Sequence, residues 1–202
     1  MKITIEKRNA SIGYDFLVLE NAVPILSAVS EKLFIFYKIS MWNISDNKKS
    51  ITIKNKKLNF FFRPGYWVYY KGEKFEFKTI SYYKRHFQLE LNDELYEIYG
   101  HHRSWKYSVF KNNEQVAWWD KQTQKHQGPD VFNLEMNDDC SIELITSFCL
   151  ILDDHIDMGM TYRGDFFNTD LSMNLDYKMY GEIKSFDENW KANIKTDRTF
   201  KQ

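Results

Sequence analysis

The stretch Asn137-Asp-Asp-Cys-Ser-Ile-Glu-Leu-Ile-Thr-Ser-Phe-Cys-Leu-Ile-Leu-Asp153 decides how this chain is read. It opens with Asn and Asp, whose side chains accept bonds from free backbone N–H groups and whose charge suits a helix N-terminus. A helix is predicted over about 138–153. Its apolar residues, Cys140, Ile142, Leu144, Ile145, Phe148, Cys149, Leu150, Ile151 and Leu152, fall on nearly every side. A helix apolar all round is buried all round. At about 15 residues it is shorter than the roughly 20 that cross a bilayer, so protein must surround it. The rival reading is a core strand over Leu144–Leu152 bounded by acids.

What could surround it is visible upstream. From about Leu33 to Glu135 short alternating runs recur between polar turns. Leu33, Ile35, Tyr37 and Ile39 alternate, as do Ile51 and Ile53, Phe75 and Phe77, and Phe87, Leu89 and Leu91. Trp105, Tyr107 and Val109, then Val116 and Trp118, repeat the rule. The separators include Lys71-Gly72, Asn92-Asp93 and Asn112-Asn113. Evenly spaced strands with period-two alternation and turns too short for βαβ crossovers form an antiparallel meander that closes as a barrel or sandwich. Composition agrees. The chain of 202 residues has 16 Phe, 13 Tyr and 6 Trp but only 8 Gly and 3 Pro, so Asn, Asp and Lys must make most turns. The fold class expected is mainly β: a closed antiparallel barrel of about a dozen strands around one buried hydrophobic helix.

A family resemblance enters on these residues. Tyr96-Glu-Ile-Tyr-Gly100, Tyr107-Ser-Val109, Gln115-Val-Ala117 and Val131-Phe-Asn-Leu134, followed by a hydrophobic helix ending Cys149-Leu-Ile-Leu-Asp153, make a pattern that resembles the tubby C-terminal-like superfamily. That group includes the LURP-one-related proteins and the phospholipid scramblases. The resemblance covers roughly Leu58 to Asp154 and implies a central helix enclosed by a barrel of strands. It departs in one respect: typical members carry the helix near the C-terminus, whereas His155–Gln202 follow it here. Residues 1–190 are read as one domain, with 155–190 adding strands or a cover, and 191–202 as a polar tail.

The cysteines, Cys140 and Cys149, are too far apart along one helix to bridge. Met1–Arg8 alternates like a strand and has no apolar signal region. Both features favour a reducing cytoplasm. The longest uncharged stretch, Asn21–Ser30, is too short for a membrane span.

Charge sums to zero, 28 Lys and Arg against 28 Asp and Glu, which argues against a chain that holds nucleic acid mainly by counterion release. The zero hides separation. Asp46–Arg63 carries Lys48, Lys49, Lys54, Lys56, Lys57 and Arg63 against Asp46 alone. These six are the candidate ligand-binding residues, a patch for anionic lipid head groups or phosphates; some tubby-like proteins bind phosphoinositides through basic side chains on the barrel, which the resemblance brings to the same patch. The plainer reading is solvated lysines guarding an edge strand. Asp130–Asp176 holds eleven acids and one base, Arg163. Asp153, Asp154, Asp157, Asp165, Asp170 and Asp176 supply oxygen ligands, and the scramblase resemblance adds calcium. Their spacing does not match a calcium loop, so no metal site is assigned.

No HExxH, CxxC, GxSxG or Gly-rich phosphate loop occurs in the chain. His101 and His102 follow Gly100 and are expected as exposed turn residues. Glu73 and Glu76, like Glu94 and Glu97, fall on opposite faces of a strand, so neither pair suits glycoside chemistry. Trp67-Val-Tyr-Tyr70 and Trp118-Trp119 put rings on both faces of their strands, and the outer ones need a cover from the tail, a partner or a ligand. The function expected is a non-catalytic, cytoplasmic binding or scaffolding protein, without a cofactor, resting peripherally on an anionic membrane or on a protein partner. A lipocalin-like carrier of small molecules and an enzyme with residues converging only in three dimensions are the alternatives.

Overall fold

Antiparallel strands follow one another around a closed ring, each bonded to the next in sequence and the last to the first. A computed structural model describes residues 1–9, 13–33, 36–56, 65–81, 85–101, 106–122, 130–153 and 183–193. Within them the strands are β1 (Lys2–Asn9), β2 (Tyr14–Glu20), β3 (Val23–Leu33), β4 (Phe36–Asn43), β5 (Lys49–Asn55) and β6 (Tyr66–Tyr70). They continue as β7 (Glu73–Ser81), β8 (His86–Leu91), β9 (Glu94–Gly100), β10 (Lys106–Lys111), β11 (Glu114–Gln122) and β12 (Asp130–Met136). One helix, α1, covers 142–153. The expected barrel of about a dozen strands around one helix is the fold observed, with twelve strands among the described residues.

Closure depends on β1 pairing with β12, Ile3 opposite Leu134 and Ile5 opposite Phe132, across most of the chain's length. Four of the five hairpins at the end of the barrel where α1 begins are two-residue turns with both residues at positive φ: Asn21-Ala22, Lys71-Gly72, Asn92-Asp93 and Asn112-Asn113. That geometry matches the right-handed twist of the flanking strands, and Asn, Asp and Gly tolerate it best. A chain poor in glycine thus turns mainly on asparagine, as its composition predicts.

Period two then sorts the side chains. Ile3, Ile5, Phe16, Val18, Ile39, Met41, Ile51, Ile53, Val68, Phe77, Leu89, Ile98, Val109 and Trp119 are buried inside the ring. They meet α1, whose Leu144, Ile145, Phe148, Cys149, Leu150, Ile151 and Leu152 are all fully buried. Phe148 sits among rings from both sides, 5.8 Å from Phe77 and 5.9 Å from Tyr96. The core-strand reading of Leu144–Leu152 is overturned, because only a helix turns apolar groups toward all walls of a barrel at once.

Two boundaries differ from expectation. The helix starts at Ile142 rather than 138, with Ser141 as its cap. Ser141 Oγ accepts the Leu144 N–H at 3.2 Å and the Tyr70 hydroxyl at 3.0 Å. Asn137 to Cys140 instead form the turn that brings the chain from β12 into the barrel mouth, closed by the Cys140 N–H on the Asn137 carbonyl. Cys140 therefore precedes the helix; both cysteines are free, as their separation predicted. The alternation from Leu33 to Ile39 is not one strand but the end of β3 and the start of β4, paired Leu33 to Phe36. Register sets buried Ala28 and Ser30 opposite buried Met41 and Ile39, so the inward side changes from even to odd positions across the hairpin.

The segment 183–193 lies outside the barrel wall. Its Phe186 ring packs 5.1 Å from His101 and 5.4 Å from Trp118. It covers the wall at that place; 154–182 and 194–202, with most of the stretch read as added strands or a cover, fall outside the described residues.

Candidate functional site

Three places gather polar chemistry, and the largest is the outer face of β4 to β7. Sheet register builds it in rows. Lys38, Lys54, Trp67 and Glu76 lie side by side across four strands, and Ser40, Thr52, Tyr69 and Lys74 form the next row. The lysines lie on the rings. Lys74 Nζ is 3.7 Å from the Trp67 ring centre and Lys56 Nζ 4.2 Å. Lys54 Nζ stands 5.4 Å from Tyr69, and Lys49 Nζ 5.5 Å from Trp42. The attraction of each cation to its ring is about 0.5–1 kcal/mol at an exposed site.

Of the six candidate residues, Lys48, Lys49, Lys54 and Lys56 belong to this side of the molecule; Lys57 and Arg63 lie outside the described residues. Lys48 sits in the turn before β5, almost fully exposed and 3.4 Å from Asp46. Backbone and side-chain bonds from Lys48 hold the Asp46 carboxyl below its ordinary value. Lys56 also pairs with Glu76. Lys38 and Lys54 stand directly opposite each other, an arrangement that costs stability in a sheet. Glu31 relieves Lys38 at 3.1 Å and the Tyr69 ring lies under Lys54. Lys74, Trp42, Trp67 and Tyr69 complete the face but are absent from the basic segment. Only register adds them, and the shared parity of Trp67 and Tyr69 was the available signal.

At the rim where α1 begins, Lys49, Ser50, Thr52, Tyr69, Lys71 and Glu143 line a cleft of about 350 Å³. It continues the lysine face to the barrel mouth.

The second place is inside. Asp153, in the last described turn of α1, accepts from Lys7 Nζ at 2.7 Å and from Lys121 Nζ at 2.6 Å. Lys121 also reaches Asp130 at 2.9 Å. Asp153 and Lys7 are buried and Lys121 nearly so. Burial acts against the Lys121 charge, yet Asp153 and Asp130 together outweigh it, and its pKa rises above the ordinary 10.5. Two cations at the carbonyl end of a helix also suit its dipole. Chemically this is a lock: it ties β1, β11, β12 and α1 together at the seam where the barrel closes. Its four residues come from distant parts of the chain, and no spacing rule announces them.

The third lies on the outside of β8 and β9. Glu97 Oε1 accepts from the Tyr99 hydroxyl at 2.8 Å and from Gln88 Nε2 at 3.1 Å, with His86 Nε2 at 3.1 Å. Burial alone would raise the Glu97 pKa; the bonds from Tyr99, Gln88 and His86 outweigh it and lower it. Burial and then Glu97 push the Tyr99 hydroxyl up. His86 stacks on Tyr99 with ring centres 4.6 Å apart.

His101 corrects an expectation. It is buried, not exposed, with Nε2 2.8 Å from Ser108 Oγ and its ring under Phe186. Strand β9 runs one residue short of it, so its side chain faces the wall that the tail covers. His102 and His126 lie outside the described residues, as do Asp154, Asp157, Asp165, Asp170 and Asp176. Among the described residues no group of three or more His, Cys, Asp or Glu could hold a metal ion, and no helix is long and apolar enough to cross a membrane.

In comparisons with known proteins, no family model, curated protein or solved structure matches this chain.

Proposed function

We propose that the chain is a non-catalytic binding or scaffolding barrel of tubby-like type. It works in the cytoplasm and rests its lysine-and-aromatic face on anionic phospholipid. The observation that carries this reading is the set of four lysines, Lys49, Lys54, Lys56 and Lys74, held over Trp42, Tyr69 and Trp67 on one outer face. Ammonium heads above flat aromatic rings suit a surface with negative charge outside and apolar matter just below it. A ring of strands with one buried helix, in the order meander then helix, is the support for the tubby-like assignment. The carrier alternative needs an open interior, and α1 occupies that space.

Each lysine near an anionic bilayer contributes about 1 kcal/mol. Four together reach about millimolar affinity, so binding is weak, salt-sensitive and helped by multivalency. Sedimentation at low salt with phosphatidylcholine vesicles, and with vesicles containing 30 mol% phosphatidylserine, tests it. Co-sedimentation only with the acidic vesicles, reduced in K54E/K74E, is expected. Equal behaviour with both vesicle types overturns it.

A further inference from the structure

The segment 183–193 makes no ladder with the sheet it covers. Its contacts alternate with solvent: Lys184, Phe186, Trp190 and Ala192 are half-buried, while Ile183, Ser185, Asp187, Glu188, Asn189, Lys191 and Asn193 are exposed. Lys184 Nζ lies 3.8 Å from the Phe110 ring centre and 4.8 Å from Tyr99. Phe186 meets His101 and Trp118, with Lys106 Nζ 4.8 Å from its ring. The Trp190 indole N–H donates to the Gln115 carbonyl at 3.1 Å. The Asn193 N–H donates to Asn137 Oδ1 at 2.8 Å, and its carbonyl accepts the Asp138 N–H at 3.2 Å.

The segment is thus seated as a short peptide ligand is seated: free of the sheet, turned once where the Trp190 N–H meets the Asp187 carbonyl, anchored by a cation, a phenyl ring and an indole, and shallow. Elements with few buried contacts open at low free energy. When it lifts, Tyr99, Phe110 and Trp118 lose a cover and leave an aromatic patch of the kind that attracts a replacement.

We propose that 183–193 is a detachable strap, and that the groove beneath it also takes the same segment of a second copy of this chain. The second copy is the occupant whose fit is already on view, because its strap carries the same Lys184, Phe186 and Trp190. Chain length permits the exchange. The residues between Asp153 and Ile183 can reach at most about 100 Å, against the roughly 20 Å length of a strand. A strap tethered to its own barrel holds an effective concentration of about millimolar, so the monomer prevails in dilute solution. Exchange at high concentration is the low-cost route to a symmetric dimer.

The test uses full-length protein and a fluorescent peptide of residues 183–193, followed by anisotropy. F186A/W190A, with the groove vacated, is expected to bind the peptide about a hundredfold more tightly than the wild type, whose own strap competes. Adding W118A is expected to abolish that binding. Light scattering on wild type incubated at millimolar concentration is expected to show a dimer that F186A/W190A does not form. Absence of peptide binding to F186A/W190A that retains the wild-type circular dichroism and a cooperative melt overturns the proposal. So does a wild type that stays monomeric at every concentration. Should that double variant not fold, W190F, which keeps a ring and loses the indole N–H, is carried through the same two measurements and judged by the same outcomes.

Discussion

Asp153 and Lys121 face each other inside the barrel at 2.6 Å, one in the last described turn of the helix and the other on β11, beside the closing seam. With Lys7 on the other carboxylate oxygen, the pair fixes how far the helix is threaded. A buried ion pair adds little over well-packed apolar residues, but breaking it leaves a stranded charge.

Asp153→Ala is therefore expected to cost about 3–5 kcal/mol by removing the buried carboxylate that Lys7 and Lys121 share. The triple replacement K7M/K121M/D153L is expected to recover most of the loss. Urea melts of the variants provide the measurement, with a recovered midpoint as the expected signature. If the single change leaves the midpoint in place, the lock has no energetic role.

Lys121 also sets an alkaline limit. Its folded pKa is above its unfolded one, so the stabilisation it brings is fully present below about pH 10.5 and disappears as pH rises through the folded value. Wild type is expected to lose stability above that pH along a steeper curve than K7M/K121M/D153L. Thermal melts between pH 8 and 12 compare the two.

Glu97 works in the opposite direction. Its pKa is lowered in the fold from 4.5, so its contribution is present above that pH and is lost as acid protonates the carboxylate. Glu97→Gln is expected to flatten the acid limb of the stability curve between about pH 5 and 3. An unchanged acid limb would mean that the bonds from Tyr99, Gln88 and His86 carry no net stabilisation.

Phe148→Ala is expected to destabilise by about 3–5 kcal/mol, since the ring is fully buried between Phe77 and Tyr96. Phe148→Asp is expected to prevent folding, seen as loss of the cooperative melt. A folded, soluble Phe148→Asp protein would place the helix outside the core.

Gly100 has a different constraint. A Cβ there would meet Arg85 Cβ at 2.6 Å and Tyr107 Cε1 at 2.8 Å. Gly100→Ala is expected to cost about 1–3 kcal/mol from overpacking, read as a shift in the urea midpoint.

The sequence by itself determined the class of fold. Alternation at period two, asparagine turns and one segment apolar on every side leave few solutions, because a strand buries one face and such a helix buries all of them. Lys49, Lys54 and Lys56 were legible as a basic cluster since they are neighbours in the chain. Their partners were not. Trp67, Tyr69 and Lys74 join them only through sheet register, and Lys7 and Lys121 share Asp153 only when the first strand pairs with the last. The same long-range closure explains His101, whose place beneath Phe186 depends on where a distant segment comes to rest. Hydrophobic period is a local property and survives in the linear sequence; which charges and rings touch is a property of closure, and only the tertiary structure decides it.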